Sequence, residues 1–420
     1  MDLKKKTFLA ISIFYIVYLF VPLLGNYTPV NSTSASIITA GALFLMYYSL
    51  IKNKIFVWYA SYLIILAFFV LIGHTITIGL GSMSDSRKLL IETGFTLPTI
   101  MIFLILRKYN ELKLYRIIAF TALAANIFSF LYCVPLIAIN SNILRAYVTA
   151  EMEDMSKIGI PNYAALHSYV IFIPALLYSI RVSVAKEKLL YIGCFLLYLY
   201  IIYNASITTN LVITLIILLF SLLYKNNIRN AFLSTFIFSL FIFGLHVSGA
   251  IESIFDSAIE FTEGTYSNGK IQGFKDMYMG KSDEIVDYRG RLHTISFMSF
   301  VQSPIWGRNA VRKEVMDSSY VSSENSVIGY HSSLLDRLGG MGLLGGLPFV
   351  MVFWLIYKDW KKRMPRGDCQ YFYMFGVIAA FILLYEKAVF GQEGWFSLCI
   401  YLPCMIMAVS KTSAESSISK

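Results

Sequence analysis

Apolar runs of roughly 20 residues recur along almost the whole chain, broken by short polar stretches. A backbone surrounded by hydrocarbon must satisfy its own hydrogen bonds, so runs of this length fold as spanning helices. Twelve such spans are expected, at about 7–24, 35–51, 55–73, 89–106, 117–139, 163–180, 188–203, 205–224, 231–248, 338–357, 371–385 and 395–410. The slightest break falls within 188–224, where only Asn204 to Asn210 marks a turn. Of the 420 residues 57% are hydrophobic and 14% charged, too little charge for a soluble domain of this length. The expected fold class is an all-α polytopic membrane protein of about twelve helices.

Charge is distributed unevenly between alternate loops. With the N-terminus cytoplasmic, one side receives Lys4 to Lys6, Lys52 and Lys54, Arg107 to Arg116, Arg181 to Lys188, Lys225 and Arg229, Lys358 to Arg366, and the tail. That side carries 21 Lys and Arg against 6 Asp and Glu, whereas the other carries 14 against 19. Lys and Arg concentrate on the cytoplasmic side of membrane proteins, so both termini are expected there. The net charge of +10 therefore reports topology, and nucleic acid is not an expected partner. The first span follows MDLKKK as a signal peptide would. It lacks a small-x-small cleavage site and is expected to stay as an anchor.

Cys133, Cys194, Cys369, Cys399 and Cys404 all fall in spans or on the cytoplasmic side, so no disulfide is expected in the outward loops. The five histidines are scattered without metal-ligand spacing, and no metal or other cofactor is expected. Phosphate-cradling glycine loops, HExxH and GxSxG are also missing, so nothing supports a soluble nucleotide-sugar substrate on the cytoplasmic side. The 29 tyrosines and 32 phenylalanines fit a membrane bundle, with tyrosine favoured at its interfaces.

Three regions follow: residues 1–248 with nine spans, 249–337 as one large outer loop, and 338–420 with three spans and the tail. The large loop opens on IESIFDSAIEF, with Ile251, Ile254, Phe255, Ala258 and Ile259 on one helical face and Glu252, Asp256 and Glu260 opposite. This is the pattern of a helix lying in the interface plane. A flexible segment rich in Gly and Ser is expected at 262–285, and a second helix at 289–302, where Leu292, Ile295 and Met298 recur every third residue and Phe297, Phe300 and Val301 widen the apolar surface. Gly339, Gly340, Gly342, Gly345 and Gly346 then permit close helix approach.

The loop also carries the chemistry. Arg289, Arg291 and Arg308 are guanidinium groups suited to bidentate phosphate binding beside a membrane. Each could equally pair with Asp283, Glu284, Asp287 or Asp317 on a solvated loop. His331, in GYHSSLLD just before a span, has the pKa range to take a proton from a sugar hydroxyl. Its plainer role is a hydrogen bond to a neighbouring loop, beside a Ser332 or Ser333 helix cap. Asp336 could orient that imidazole or pair with Arg337 or Arg291. Arg87 and Arg145 are further outward cations, either phosphate ligands or residues that snorkel or pair locally. His167 and His246 fall in spans, where a polar side chain usually faces the bundle interior.

RGRLHTISFM, then SPIWGR, a variable polar stretch and GYHSSLLDRLGGMGLLGG entering a span together resemble the O-antigen polymerase and ligase superfamily, above all Wzy-type O-antigen and capsular polysaccharide polymerases. GIPNYAALHSYVIFIPALLY, entering a span after the first sizeable outer loop, is similar to a segment of the same superfamily. At motif level the resemblance covers about 290–346 and 158–178; elsewhere it is one of topology. It implies a helical fold like that of C-type glycosyltransferases in the cytoplasmic (inner) membrane. It also implies undecaprenyl-pyrophosphate-linked oligosaccharides as donor and acceptor, membrane lipid around them, and a chain-length regulator and a flippase as partners. The motif arginine falls on Arg289 or Arg291 and would hold the pyrophosphate; the motif histidine falls on His331 and would activate the acceptor hydroxyl. NASITTN departs from the superfamily, lacking a Ser-Arg pair common at that turn, so Arg87, Arg145 or Arg308 would have to substitute.

The expected activity is polymerisation of lipid-linked repeat units at the outer face. A ligase transferring glycan to lipid A-core uses the same donor, and a lipid-linked oligosaccharide flippase is the alternative from another class. A flippase predicts related halves and charges at span centres; the sequence has no repeat, and its expected spans are nearly charge-free.

Overall fold

The computed structural model describes residues 2–76, 90, 93–140, 143–144, 159–205, 207–223, 248–263, 266–279, 284–308, 332–386 and 391–418. Among these there is no strand. The helices are α1 (Leu3–Phe20), α2 (Leu23–Tyr27), α3 (Ser32–Tyr47), α4 (Lys54–Ile76), α5 (Leu97–Tyr109), α6 (Leu112–Ile139), α7 (Tyr163–Val182) and α8 (Ala185–Asn204). They continue as α9 (Thr208–Leu223), α10 (Ala250–Phe261), α11 (Tyr266–Tyr278), α12 (Glu284–Gln302), α13 (Ser333–Arg363), α14 (Asp368–Glu386), α15 (Gly391–Phe396) and α16 (Leu402–Ile418).

Six stretches among the described residues are long and apolar enough to cross a membrane: Ser32–Lys52, Leu112–Ile139, Tyr163–Val182, Ser333–Arg363, Asp368–Glu386 and Gly391–Ser410. The chain is thus a helical membrane protein, and these six fall on six of the expected spans. Two shorter apolar helices, Lys54–Phe69 and Thr209–Ser221, fall on two more. Helix α1 covers the stretch expected at 7–24 only as far as Phe20, α8 covers that at 188–203, and α5 the second half of 89–106. Residues 231–247 lie outside the described residues.

α7 sits at the centre, packed on α8, α14 and α16. Every residue from Ala164 to Leu176 is buried, as expected of a helix apolar all round. Phe172 stacks on Tyr401 with ring centroids 3.4 Å apart, and the Tyr198 and Tyr401 hydroxyls lie 3.1 Å apart. Tyr59, Tyr62, Tyr169, Tyr198, Tyr373 and Tyr401 are fully buried, so these tyrosines are core residues and not an interfacial belt. All five cysteines are buried and free.

Among the described residues, basic segments assigned to one side by charge meet at one end of the bundle. Lys5 pairs with Glu111, Arg107 with Asp359 at 3.0 Å, and Arg181 with Asp368 at 3.3 Å. Arg363 reaches Asp359 at 2.7 Å and donates to Asn110 at 3.0 Å. Arg107 also donates to Asn53 at 3.3 Å.

α10 forms where its amphipathic pattern places it, with Ile251, Phe255, Ala258 and Ile259 half-buried and Glu252, Asp256 and Glu260 exposed; Ile254, expected on the apolar face, is exposed. The segment expected to be flexible holds α11 instead, docked on α10. Lys275 Nζ lies 2.6 Å from Asp256 Oδ1, Asn268 Nδ2 donates to the Ile259 carbonyl at 2.7 Å, and the Phe255 and Tyr278 rings are 5.8 Å apart. Gly and Ser pointed to a loop, and contacts to α10 outweigh that local preference. The Asp256 hydrogen bond raises the Lys275 pKa above its ordinary 10.5. The stabilisation is therefore complete below 10.5 and is lost as pH rises through the higher folded-state value. Limited proteolysis should cut the α10–α11 pair of Lys275→Met faster than wild type at neutral pH, and the two should converge in alkali.

α12 begins at Glu284, five residues before the expected start, and packs on α13. Its inward face is Leu292, Ser296 and Ser299, all buried, while Phe297, Met298 and Val301 are exposed. Of the expected apolar surface Leu292 is buried, whereas Phe297, Met298 and Val301 face out and serine faces in. Small side chains let α12 approach the glycine-bearing start of α13 closely.

Candidate functional site

α13 starts at Ser333, within the stretch assigned to the outer loop. Ser332 caps it, its hydroxyl accepting from the Leu335 amide at 3.1 Å. The helix consists of two pieces, because Gly342 adopts φ 58 and ψ −155, a backbone region essentially restricted to glycine. A break exposes backbone groups that need other partners in a membrane bundle. SPIWGR supplies them. The Leu343 amide donates to the Pro304 carbonyl at 2.7 Å, and the Leu344 amide to the Ile305 carbonyl at 3.1 Å. In the other direction the Arg308 amide donates to the Gly339 carbonyl at 2.9 Å.

The fit is backbone against backbone. A Cβ on Gly342 would lie 2.4 Å from the Ile305 carbonyl carbon, and one on Gly307 would lie 2.3 Å from that of Gly340. Of the glycines expected to serve helix approach, Gly342 does something more specific: it lets the helix break and admits a crossing stretch of loop. Two segments far apart in the motif, SPIWGR and LGGMGLLGG, form one unit.

The expected site residues distribute unevenly. His331, Arg87 and Arg145 lie outside the described residues. Arg289 lies on α12; its side chain is outside what is described. Arg291, on α12, is exposed. Arg308 is exposed and its Nη1 donates to Gln302 Oε1 at 2.7 Å. Asp336 is buried, and its carboxylate accepts from Ser296 Oγ at 2.5 Å and from the Ser332 amide at 3.1 Å. It ties the start of α13 to α12 and fixes the backbone of the residue that follows His331. Asp336→Ala should lower stability by about 1–3 kcal/mol, read by thermal unfolding, because it strands the buried Ser332 amide.

Arg337, considered above only as a partner for Asp336, is turned to the opposite side. It is 5% exposed. Its Nε donates to Tyr62 Oη on α4 at 2.7 Å, its Nη1 to the Ser333 carbonyl at 2.6 Å and to Ser333 Oγ, and its guanidinium carbon lies 4.4 Å from the Phe349 ring centroid.

A second polar group lies where α7 begins. Asn162 caps α7, accepting from the Ala165 amide at 2.8 Å, and donates from Nδ2 to Glu393 Oε1 at 2.9 Å. Glu393, on α15, is 6% exposed. One turn into α7, His167 Nδ1 lies 2.5 Å from Asn210 Oδ1, and Asn210 Nδ2 donates to the Leu166 carbonyl at 3.0 Å. His167 thus faces the interior, as its place in a span implied. The departing turn NASITTN contributes Asn210 to this group. Among the described residues no cluster of metal-ligating side chains occurs. No protein-family model matches the chain, and no curated protein is similar to it at a significant level.

Proposed function

We propose that the protein is a polysaccharide polymerase that joins undecaprenyl-pyrophosphate-linked repeat units at the outer face of the cytoplasmic (inner) membrane. In this reading it has about twelve spans in a C-type glycosyltransferase-like arrangement, with both termini cytoplasmic. The growing chain leaves its pyrophosphate carrier and is attached to the terminal sugar hydroxyl of the incoming unit. His331 takes the hydroxyl proton, while an arginine, Arg289 or Arg291, neutralises the departing pyrophosphate.

The observation that carries this reading is the interlock at Gly342. The motif segments that resemble the superfamily, separated in sequence by a variable stretch, are hydrogen-bonded into one unit, with His331 joined directly to its helix cap. The gathering of basic segments at one bundle end supports the cytoplasmic assignment for that end.

In the producing strain, alanine at His331, and separately at Arg289 and Arg291, should reduce long surface polysaccharide to single repeat units while the protein is expressed normally. Unchanged chain length in all three would overturn the site. Loss of even the single-unit product would favour a ligase or flippase.

A further inference from the structure

SPIWGR meets α13 at a depth where a solvated loop would not lie. Lys358 opens the basic run at one end of α13, and the sixteen residues back from 358 to 342 span about 24 Å of helix. Membrane hydrocarbon is about 30 Å thick. Gly342 therefore lies about 6 Å inside the opposite boundary of the hydrocarbon, which falls near Leu338.

α12 descends beside α13 to this depth, and the chain then comes back. Ser296 Oγ meets Asp336, outside the boundary. Further on, the Pro304 and Ile305 carbonyls meet the Leu343 and Leu344 amides, inside it. The Arg308 amide then returns to the Gly339 carbonyl, about one turn back toward the boundary. Irregular backbone survives at membrane depth only where protein satisfies its hydrogen bonds. The break at Gly342 and the turn after α12 do this for each other. Pro304 brings no amide donor of its own, and the Gly307 amide donates to the Ser303 carbonyl at 2.8 Å.

The outward side chains suit the same depth. Phe297, Met298, Val301, Ile305 and Trp306 are 46–59% exposed, while Ser296 and Ser299 are buried against α13. Serine inward with aromatic and aliphatic groups outward reverses the pattern of a helix on a solvated surface. Leu343 and Leu347 of α13, exposed as well, carry the apolar surface on into a stretch long and apolar enough to span. Arg308, the charged residue of the turn, is exposed and close enough to the boundary for its long side chain to reach water.

We propose that residues 296–307 form a re-entrant element that dips into one leaflet beside α13, with the hydrocarbon of that leaflet covering its apolar face. The stretch expected to lie wholly within a solvated loop is thereby part of the membrane domain. This inference does not rest on the reaction proposed above.

The test uses the purified full chain in phosphatidylcholine vesicles, with Trp306 as the reporter. Its fluorescence is the difference between wild type and Trp306→Phe. Phosphatidylcholine brominated near the headgroup end of its acyl chains should quench that difference at least about twofold more than lipid brominated near the methyl end, as a shallow insertion requires. Aqueous iodide should quench it little.

Thiol reactivity decides the matter if Trp306→Phe does not fold. All five native cysteines are buried, so the wild type sets the background. Toward a membrane-impermeant maleimide, Ile305→Cys should react at least about tenfold more slowly than Thr294→Cys, because the reactive thiolate does not form in hydrocarbon. Thr294 is exposed and precedes Ser296, so it lies on the water side of the boundary. Strong iodide quenching of Trp306, or equal labelling at the two positions, would overturn the proposal. So would a slow Ile305→Cys combined with a Trp306 that brominated lipid leaves unquenched, since a second copy or another protein would then cover the face.

Discussion

Gly342→Ala should destabilise the protein by on the order of 3 kcal/mol and abolish chain elongation in whatever fraction still folds. The expected loss has two sources. The backbone at φ 58 and ψ −155 is strained for any residue with a Cβ, at about 1–3 kcal/mol. The new carbon would also meet the Ile305 carbonyl group at 2.4 Å, and backbone does not yield as a flexible side chain would. Relief requires SPIWGR to move away, which breaks the Leu343 and Leu344 hydrogen bonds to Pro304 and Ile305. Gly193→Ala is the matched control, because a Cβ there has nothing within 4 Å. In the interior of α8 it should be neutral or stabilising by up to about 1 kcal/mol. Thermal unfolding of both variants in the same detergent separates the specific effect from the general one.

Asn162→Ala should cost about 2–4 kcal/mol, again far above a typical substitution. One part is the lost helix cap of α7, about 1 kcal/mol. The other is a buried Glu393 carboxyl deprived of its donor, about 1–3 kcal/mol. Three variants divide the total. Asn162→Ser keeps a capping oxygen and loses the reach to Glu393, so it should recover only the first part. Asn162→Asp keeps the cap and sets a second carboxyl against Glu393, so it should be as harmful as alanine or worse. Glu393→Gln retains an acceptor for Asn162 Nδ2 and should be mild. A Glu393→Gln variant as damaging as Asn162→Ala would show that the carboxyl does more than accept this hydrogen bond.

The helices and the motif order are legible in the sequence because each depends on residues close together. Apolar run length marks α3, α6, α7, α13, α14 and the α15–α16 stretch, and the 251–259 pattern marks α10. Contacts made at a distance are another matter. Asp336-Arg337 reads as a charged pair at the edge of a loop. Whether Arg337 is buried depends on Tyr62, 275 residues away, and on a helix break that a run of five glycines permits without locating. Glu393 reads as a residue between spans, and its partner Asn162 is 231 positions distant. The signal that was available is the rule that polar groups within apolar helices face inward. It applied correctly to His167 and, extended to Asn210, would have marked it too, whereas Asn162 and Arg337 fall one residue outside the expected spans and escape it. α11 escaped detection because its residues have little helical preference apart from their docking on α10.

The proposed activity is polymerisation of lipid-linked repeat units, with His331 as the base. Its most direct test is reconstitution of the purified chain in lipid bilayers with undecaprenyl-pyrophosphate-linked repeat units as both donor and acceptor. Products are then resolved by length. The polymerase reading predicts a ladder of two or more units without added nucleotide sugar or lipid A-core, and no ladder with His331→Ala. Repeat units that stay single with the wild-type chain, while lipid A-core becomes glycosylated once supplied, would contradict it.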